Sequence, residues 1–236
     1  PILDRAALPS VRLLITAGEA ADPGDAQHYA STARYVNAYG PTECAVCATW
    51  LEVASSALDT TVPVAIGRPV ANTAAYVLDA RGALVSVGQP GELYLGGAGV
   101  ALGYLERPAL TAERFVPDPF SGVPGARLYR TGDLARWRAD GTLEFIGRND
   151  FQVKVRGHRI ELGEVESAIR AVPHVRDAVV IARALDLVAY IVGDQADEAS
   201  VRAHLRTQLP DYMLPSLDRK STRLNSSHIT ISYAVF

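Results

Sequence analysis

The chain has 236 residues, a length that suits one large or two modest domains. Apolar residues make up 48% and charged residues 21%, which excludes intrinsic disorder and fibrous repeats. Lys+Arg number 23 against 26 Asp+Glu, a formal net charge of −3, so no overall basic field draws nucleic acid or an anionic membrane to this chain.

The most apolar stretch, 178–193, is interrupted by Arg183 and Asp186, and no run reaches the roughly 20 apolar residues that span a bilayer. No charged-then-apolar leader opens the sequence, and Cys44 with Cys47 makes no disulfide framework, so a reducing, cytoplasmic setting is expected. The only Met is Met213 and the first residue is Pro1, which reads as a fragment.

In chain order, a buried strand is expected over Val11 to Thr16, running into Ala17-Gly18-Glu19, and a second over Arg34 to Tyr39, running into Gly40-Pro41-Thr42-Glu43. Strands that end in small-residue turns carrying a carboxylate are how open α/β sheets present a ligand crevice. Val46 to Val53 is apolar and β-capable, residues 73–79 and 92–95 read as strands, and Thr111 to Phe115 reads as a short capped helix. Leu134 to Arg138 and Thr142 to Ile146 flank Asp140-Gly141, a hairpin signal because Asp-Gly supplies positive φ.

Past Gly147 the pattern becomes that of a compact α+β module. A short strand lies at Val153 to Val155, and Leu162, Val165, Ile169 and Val172 recur at helical spacing. Strands at 175–182 and 187–192 follow, then a helix with Val201, Leu205 and Leu209 on one face. These changes put a domain boundary near Asp150, giving units 1–149 and 150–217. The fold class is α/β with mixed sheets, followed by a small α+β subdomain.

Three clusters carry chemistry. In Asn37-Ala-Tyr-Gly-Pro-Thr-Glu43 a strand meets a forced turn that leaves a hydroxyl and a carboxylate at its tip. Glu43 suits Mg²⁺, which takes oxygen ligands and often uses one or two carboxylates plus phosphate oxygens. Tyr129-Arg-Thr-Gly-Asp133 holds a carboxylate at a glycine turn, where one Asp can accept from both hydroxyls of a ribose. The stretch from Gly147 to Glu166 concentrates Arg148, Lys154, Arg156 and Arg159 between glycines at the boundary. Lys154 and Lys220 are the only lysines in a chain that otherwise uses arginine, and the two cations are not interchangeable. Taken singly, the first cluster reads equally well as a solvated turn with a buried Tyr, and the second reads more readily as an ordinary turn residue after glycine.

Together they resemble the later core motifs of the adenylation domains of nonribosomal peptide synthetases, within the adenylate-forming superfamily. The run Gly91 to Leu105, followed by Arg107-Pro108, Leu110-Thr111, Glu113-Arg-Phe115 and Pro117, resembles the long form typical of the peptide synthetase branch. Ala171 to Val175 and Leu209 to Ser216 resemble the small C-terminal subdomain, although the Arg183-to-Asp186 link is shorter than in many relatives. The resemblance spans about Val11 to Leu217. It implies the later part of a large N-terminal subdomain, with mixed sheets and a small barrel-like region, plus a small α+β subdomain.

The resemblance further implies roles by position. Asn37 and Tyr39 bind adenine, Thr42 a phosphate, Glu43 Mg²⁺, Asp133 the ribose hydroxyls and Arg148 the ribose side of the nucleotide. Asp150 is the hinge, and Lys154 with Gly157 belongs to a loop that enters the site for thioester formation. Ile15, Ala17, Ala38, Val46 and Cys47 match the specificity pocket. None offers a charge, so a large apolar substrate side chain is favoured, phenylalanine or another aromatic.

The implied reaction uses ATP and Mg²⁺ to form aminoacyl-AMP, then passes the aminoacyl group to the phosphopantetheine thiol of a carrier-protein domain among neighbouring synthetase domains. Runner-up readings are an acyl- or aryl-CoA ligase and a non-catalytic remnant that binds nucleotide or carrier protein. The phosphate-binding loop, the aspartate for the substrate amino group and the C-terminal catalytic lysine have no match in this sequence, so the chain by itself is expected to be inactive. A zinc or redox reading of Cys44 and Cys47 lacks the further ligands it needs. Residues 218–236 resemble the in-frame translation of a sequencing adapter and are read as not of biological origin.

Overall fold

The computed structural model describes residues 10–150, 152–183, 186–193 and 198–215, together with the backbone of Ala234–Val235. The chain divides into two compact units, one ending at Asn149 and the other beginning at Asp150.

The first unit opens with strand β1 (Leu13–Thr16), helix α1 (Pro23–Ala30) and strand β2 (Arg34–Tyr39). β1 and β2 pair in parallel, with Ile15 opposite Val36. Strand β3 (Thr49–Val53) adds antiparallel to β2 with Ala38 opposite Trp50, and β4 (Arg68–Pro69) closes a four-stranded sheet. Helix α1 is an addition to the elements expected from periodicity. It starts on Asp22, whose side chain accepts from the Asp25 amide at 2.8 Å, with proline in its first turn, and it buries only Ala26 and Tyr29. These pack with Tyr35, Val53 and Val64 on one face of the sheet.

A second sheet contains β5 (Thr73–Leu78), β6 (Gly91–Gly97), β7 (Phe115–Pro117), β8 (Arg127–Trp137) and β9 (Leu143–Arg148). Helix α2 (Pro108–Arg114) precedes β7; it begins three residues earlier than expected because Pro108 sits in its first turn, and Phe115 already belongs to the strand. The expected Asp-Gly hairpin is present between β8 and β9. Gly141 has φ +79°, and the Asp140 carboxylate accepts from the Thr142 amide at 2.8 Å and its hydroxyl at 2.7 Å. Leu93, Leu95, Tyr129, Ala135 and Leu143 form the buried centre of this sheet.

The two sheets join where the Ile66 amide donates to Leu143 and the Leu143 amide donates to Gly67. Gly67 has φ +83°, and a Cβ there would lie 1.8 Å from the Trp50 carbonyl oxygen. Gly67→Ala is therefore expected to cost about 3 kcal/mol and to lower the Tm by roughly 10 °C in a thermal melt of this chain. A Tm within 2 °C of the parent would contradict this packing.

The second unit opens with the hairpin β10 (Gln152–Val155) and β11 (His158–Glu161), turned by Arg156 and Gly157 at φ +52° and +78°. Such paired positive φ angles make the two-residue turn that matches strand twist. Helix α3 (Leu162–Arg170) buries Leu162, Val165 and Ile169, the spacing read from the sequence. It packs with Val201 and Leu205 of helix α4 (Glu198–Gln208) against β12 (Val175–Arg183) and β13 (Asp186–Gly193). A two-residue strand, β14 (Ala234–Val235), pairs with Tyr190 and Ile191 of β13. The rest of the adapter-like segment lies outside the described residues. Among the described residues no helix is long and apolar enough to cross a membrane.

Candidate active site

Strand alternation sorts the predicted residues on β2. Asn37 and Tyr39 share one face, while Ala38 lies on the other with Val36, which stands opposite Ile15. β2 thus separates the residues matched to the nucleotide from those matched to the substrate pocket. Asn37 is buried and its Nδ2 donates to the Ala65 carbonyl at 2.9 Å. Tyr39 is also buried; its hydroxyl donates to Oδ2 of Asp133. Burial, reinforced by the Asp133 charge, pushes the Tyr39 phenol pKa well above its ordinary value.

After Tyr39 the chain reverses sharply. A Cβ on Gly40 would come within 2.6 Å of the Ala48 nitrogen, so glycine is required by close backbone approach. Thr42–Cys44 form one 3-10 turn, and Ala45 and Val46 follow in the left-handed region at φ +58° and +67°. The Cys47 amide donates to the Ala45 carbonyl at 2.7 Å, closing a tight turn around a β-branched residue. Such backbone costs on the order of 1–3 kcal/mol and gathers at functional sites. The expected strand over Val46 to Val53 is corrected here: pairing starts only at Thr49, because these left-handed residues cannot continue a strand. Cys44 accordingly lies in the turn, and burial pushes its thiol up to about 12, while Cys47 is exposed; both are free.

The turn presents Thr42 in the open and Glu43 half-buried. Oε1 of Glu43 accepts from the Tyr104 hydroxyl at 2.6 Å, and the Glu43 carbonyl accepts from the Ala101 amide at 2.9 Å. Among the described residues no three His, Cys, Asp or Glu side chains cluster as a metal cage. A single hard carboxylate on an open turn fits a cation that takes its remaining ligands from phosphate oxygens and water.

Asp133 is not on a loop turn as expected. It lies inside β8, where the pairing with β6 slips between Glu92 and Tyr94, opposite Leu134 and Arg130. Thr131 to Asp133, three residues facing the single Leu93, form a bulge, with Gly132 at φ +75°. Bulges re-aim side chains and are common beside active sites. Here the bulge turns Asp133 inward, leaving it 3% exposed. Its Oδ1 accepts from Arg148 at 2.5 Å across the β8–β9 ladder, and Arg148 also donates to the Thr131 carbonyl at 3.2 Å. Asp133, Tyr39 and Arg148 therefore form one connected buried cluster, which joins the first two sequence clusters and the start of the third.

Of the residues matched to the pocket, Ala38 is buried, whereas Ile15, Ala17, Val46 and Cys47 are exposed. Lys154, Gly157 and Asp150 belong to the second unit. Lys154 pairs in register with Arg159 on β11, Gly157 completes the hairpin turn, and the Asp150 carboxylate accepts from the Gln152 amide at 3.1 Å. Tyr104, which the sequence reading did not single out, is the neighbour of Glu43 that the fold adds.

Two family matches cover most of the chain: "AMP-binding enzyme" over residues 3–105 and "AMP-binding enzyme C-terminal domain" over residues 164–220. The chain belongs to the AMP-binding enzyme family. Its relatives place it among nonribosomal peptide synthetase adenylation domains. It is 49% identical over 216 residues to tyrocidine synthase 1 of Brevibacillus parabrevis, a match covering 89% of this chain and 20% of that protein. It is 50% identical over 219 residues to chondramide synthase cmdD of Chondromyces crocatus, covering 89% of this chain and 6% of that protein. The chain thus spans a minor part of the curated relatives it matches.

Among solved structures, PA1221, an NRPS protein containing adenylation and PCP domains, matches with a TM-score of 0.79 at 33% identity, over 91% of this chain and 44% of that one. The Vibrio cholerae adenylation domain AlmE, solved in complex with glycyl-adenosine-5'-phosphate, matches with a TM-score of 0.78 at 28% identity, over 88% of this chain and 41% of that one. The mixed α/β class and the partial match to an adenylation domain agree with the sequence reading, and these relatives give no support to the CoA-ligase alternative.

Proposed function

We propose that the complete protein carrying this chain activates an amino acid as its adenylate and passes it to a carrier protein. The observation that carries this reading is the bulge on β8, which joins Asp133 to Arg148 and to Tyr39, the residue directly ahead of the Glu43 turn. In the reaction the amino-acid carboxylate oxygen attacks the α-phosphorus of ATP, the bond to the bridging oxygen breaks, and pyrophosphate leaves with the electron pair. A carrier-protein phosphopantetheine thiol then attacks the acyl carbon and AMP departs.

Asp133 would accept the ribose hydroxyls, with Arg148 neutralising its charge and facing the ribose side; a carboxylate oxygen can accept from two donors, so Oδ2 can share or exchange the Tyr39 phenol. Asn37 and Tyr39 would border adenine and Thr42 would donate to a phosphate. Mg²⁺, held by Glu43, would supply charge neutralisation at the phosphates. Lys154, with the Gly157 turn, would act in the second half-reaction, near the thiol. Ile15, Ala17, Ala38, Val46 and Cys47 offer no charge to pair with a charged substrate side chain, so an aromatic amino acid such as phenylalanine is the substrate favoured. Neighbouring synthetase domains would supply the carrier protein, and the work would be done in the cytoplasm.

Asp150 is the hinge in this reading. The test follows both half-reactions in the complete domain: pyrophosphate exchange for adenylation and radiolabel on the carrier protein for transfer. Asp150→Pro fixes φ near −65° and is expected to slow carrier loading at least tenfold while exchange stays within about threefold. Equal loss in both assays would place the hinge elsewhere, and failure of the parent domain to load any amino acid would overturn the reading.

A further inference from the structure

We propose that Tyr104 is a positioning residue for Glu43, holding its carboxylate in the orientation that receives the cation accompanying ATP; this rests on the reading of Glu43 as the Mg²⁺ ligand. Glu43 sits on a 3-10 turn of three residues followed by strained backbone, a support too short to fix a flexible side chain. The support comes instead from the segment 100–104. Its Ala101 amide holds the Glu43 carbonyl at 2.9 Å and its Tyr104 hydroxyl holds Oε1 at 2.6 Å. Two contacts, one to the main chain and one to the carboxylate, fix both ends of the residue.

Tyr104 is itself fixed. Its ring packs edge-on against Phe115 with centroids 5.4 Å apart, and its hydroxyl lies 3.4 Å from that of Tyr129, which is fully buried. Its amide donates to Thr111 Oγ1 at 2.9 Å, and Gly103, at φ +145°, leaves room for the Thr111 methyl that a Cβ would meet at 2.4 Å. Arg127 clamps the Ala101 and Leu102 carbonyls at 2.9 and 2.8 Å. Glycine and threonine at these positions, within a run otherwise read as a family signature, thus serve to aim one phenol at one carboxylate. Outer partners of this kind orient a metal ligand, and losing one typically weakens metal binding by about 10- to 100-fold.

The experiment is a double-mutant cycle in the complete domain, read as Mn²⁺ affinity in the presence of ATP from the free-Mn²⁺ electron paramagnetic resonance signal. Tyr104→Phe keeps the ring and its packing and removes only the hydroxyl. It is expected to weaken Mn²⁺ binding about tenfold, to leave the amino-acid KM within twofold, and to recover exchange activity when Mg²⁺ is raised. In a Glu43→Gln background the same change should have no further effect, because coupled residues are not additive. If Glu43→Gln weakens Mn²⁺ binding and Tyr104→Phe does not, or if Tyr104→Phe acts equally in both backgrounds, the positioning role is overturned while Glu43 keeps its own. If Glu43→Gln leaves Mn²⁺ affinity unchanged, the reading beneath it fails. A Tyr104→Phe protein that melts well below the parent and does not recover with Mg²⁺ assigns Tyr104 to packing alone and also overturns the inference.

Discussion

Asp133→Ala is expected to produce two losses at once. Removing the carboxylate takes away hydrogen bonds from ribose hydroxyls to a charged acceptor, worth about 1.5–3 kcal/mol, which raises the ATP requirement roughly 10- to 150-fold. It also takes the carboxylate partner from Arg148, whose side chain is only 10% exposed, and the Oδ2 acceptor from the buried Tyr39 hydroxyl. Breaking a buried pair by deleting one partner costs about 3–5 kcal/mol. The checks are the ATP KM in pyrophosphate exchange with the complete domain and a thermal melt of this chain. Asp133→Asn, which keeps the volume and one acceptor, should recover part of the stability and little of the ATP binding. A KM within twofold of the parent for Asp133→Ala would mean that Asp133 does not hold the ribose.

Glu43→Gln separates charge from shape. The amide keeps the size of the carboxylate and can still accept from Tyr104, so the fold should be undisturbed. What is lost is the negative charge that would hold a hard cation beside the phosphates. Removing one preorganised electrostatic contact to a transition state typically costs about 10²–10³-fold, and the exchange rate is expected to fall by about 100-fold with the Tm within about 2 °C. A fall in rate accompanied by a large fall in Tm would instead make Glu43 a structural residue.

Much of the scaffold was legible because it follows local pattern. The apolar run of β2, the Asp-Gly turn between β8 and β9 and the apolar stripe of α3 are local signals that tertiary packing has no reason to override. Helix α1 was not read, since a helix that buries only two side chains leaves almost no stripe; its one local mark was Asp22 ahead of proline. The β-capable residues Val46 to Ala48 misled because the Gly40-Pro41 reversal forces the next turn into left-handed backbone whatever the side chains prefer.

The members of the candidate site could be listed from the sequence, but the way they meet could not. Tyr39 and Asp133 are 94 positions apart, and only the bulge on β8, a slip in register, brings them together. No residue pattern announces that slip except Gly132. Tyr104 escaped for a similar reason: it lies 61 positions from Glu43, inside a glycine-rich run whose turns obscure any period. Contacts set by register and by loop packing depend on the whole sheet, and a linear reading can list their members without pairing them.

The most direct measurement is amino-acid-dependent ATP–pyrophosphate exchange by the complete domain, run against a panel of amino acids alongside fatty and aryl acids. Exchange is predicted to require an amino acid, to be strongest with phenylalanine or another aromatic, and to fall sharply in Glu43→Gln and Asp133→Ala. Exchange supported by a fatty or aryl acid and by no amino acid, or exchange indifferent to both substitutions, would contradict amino-acid activation at this site.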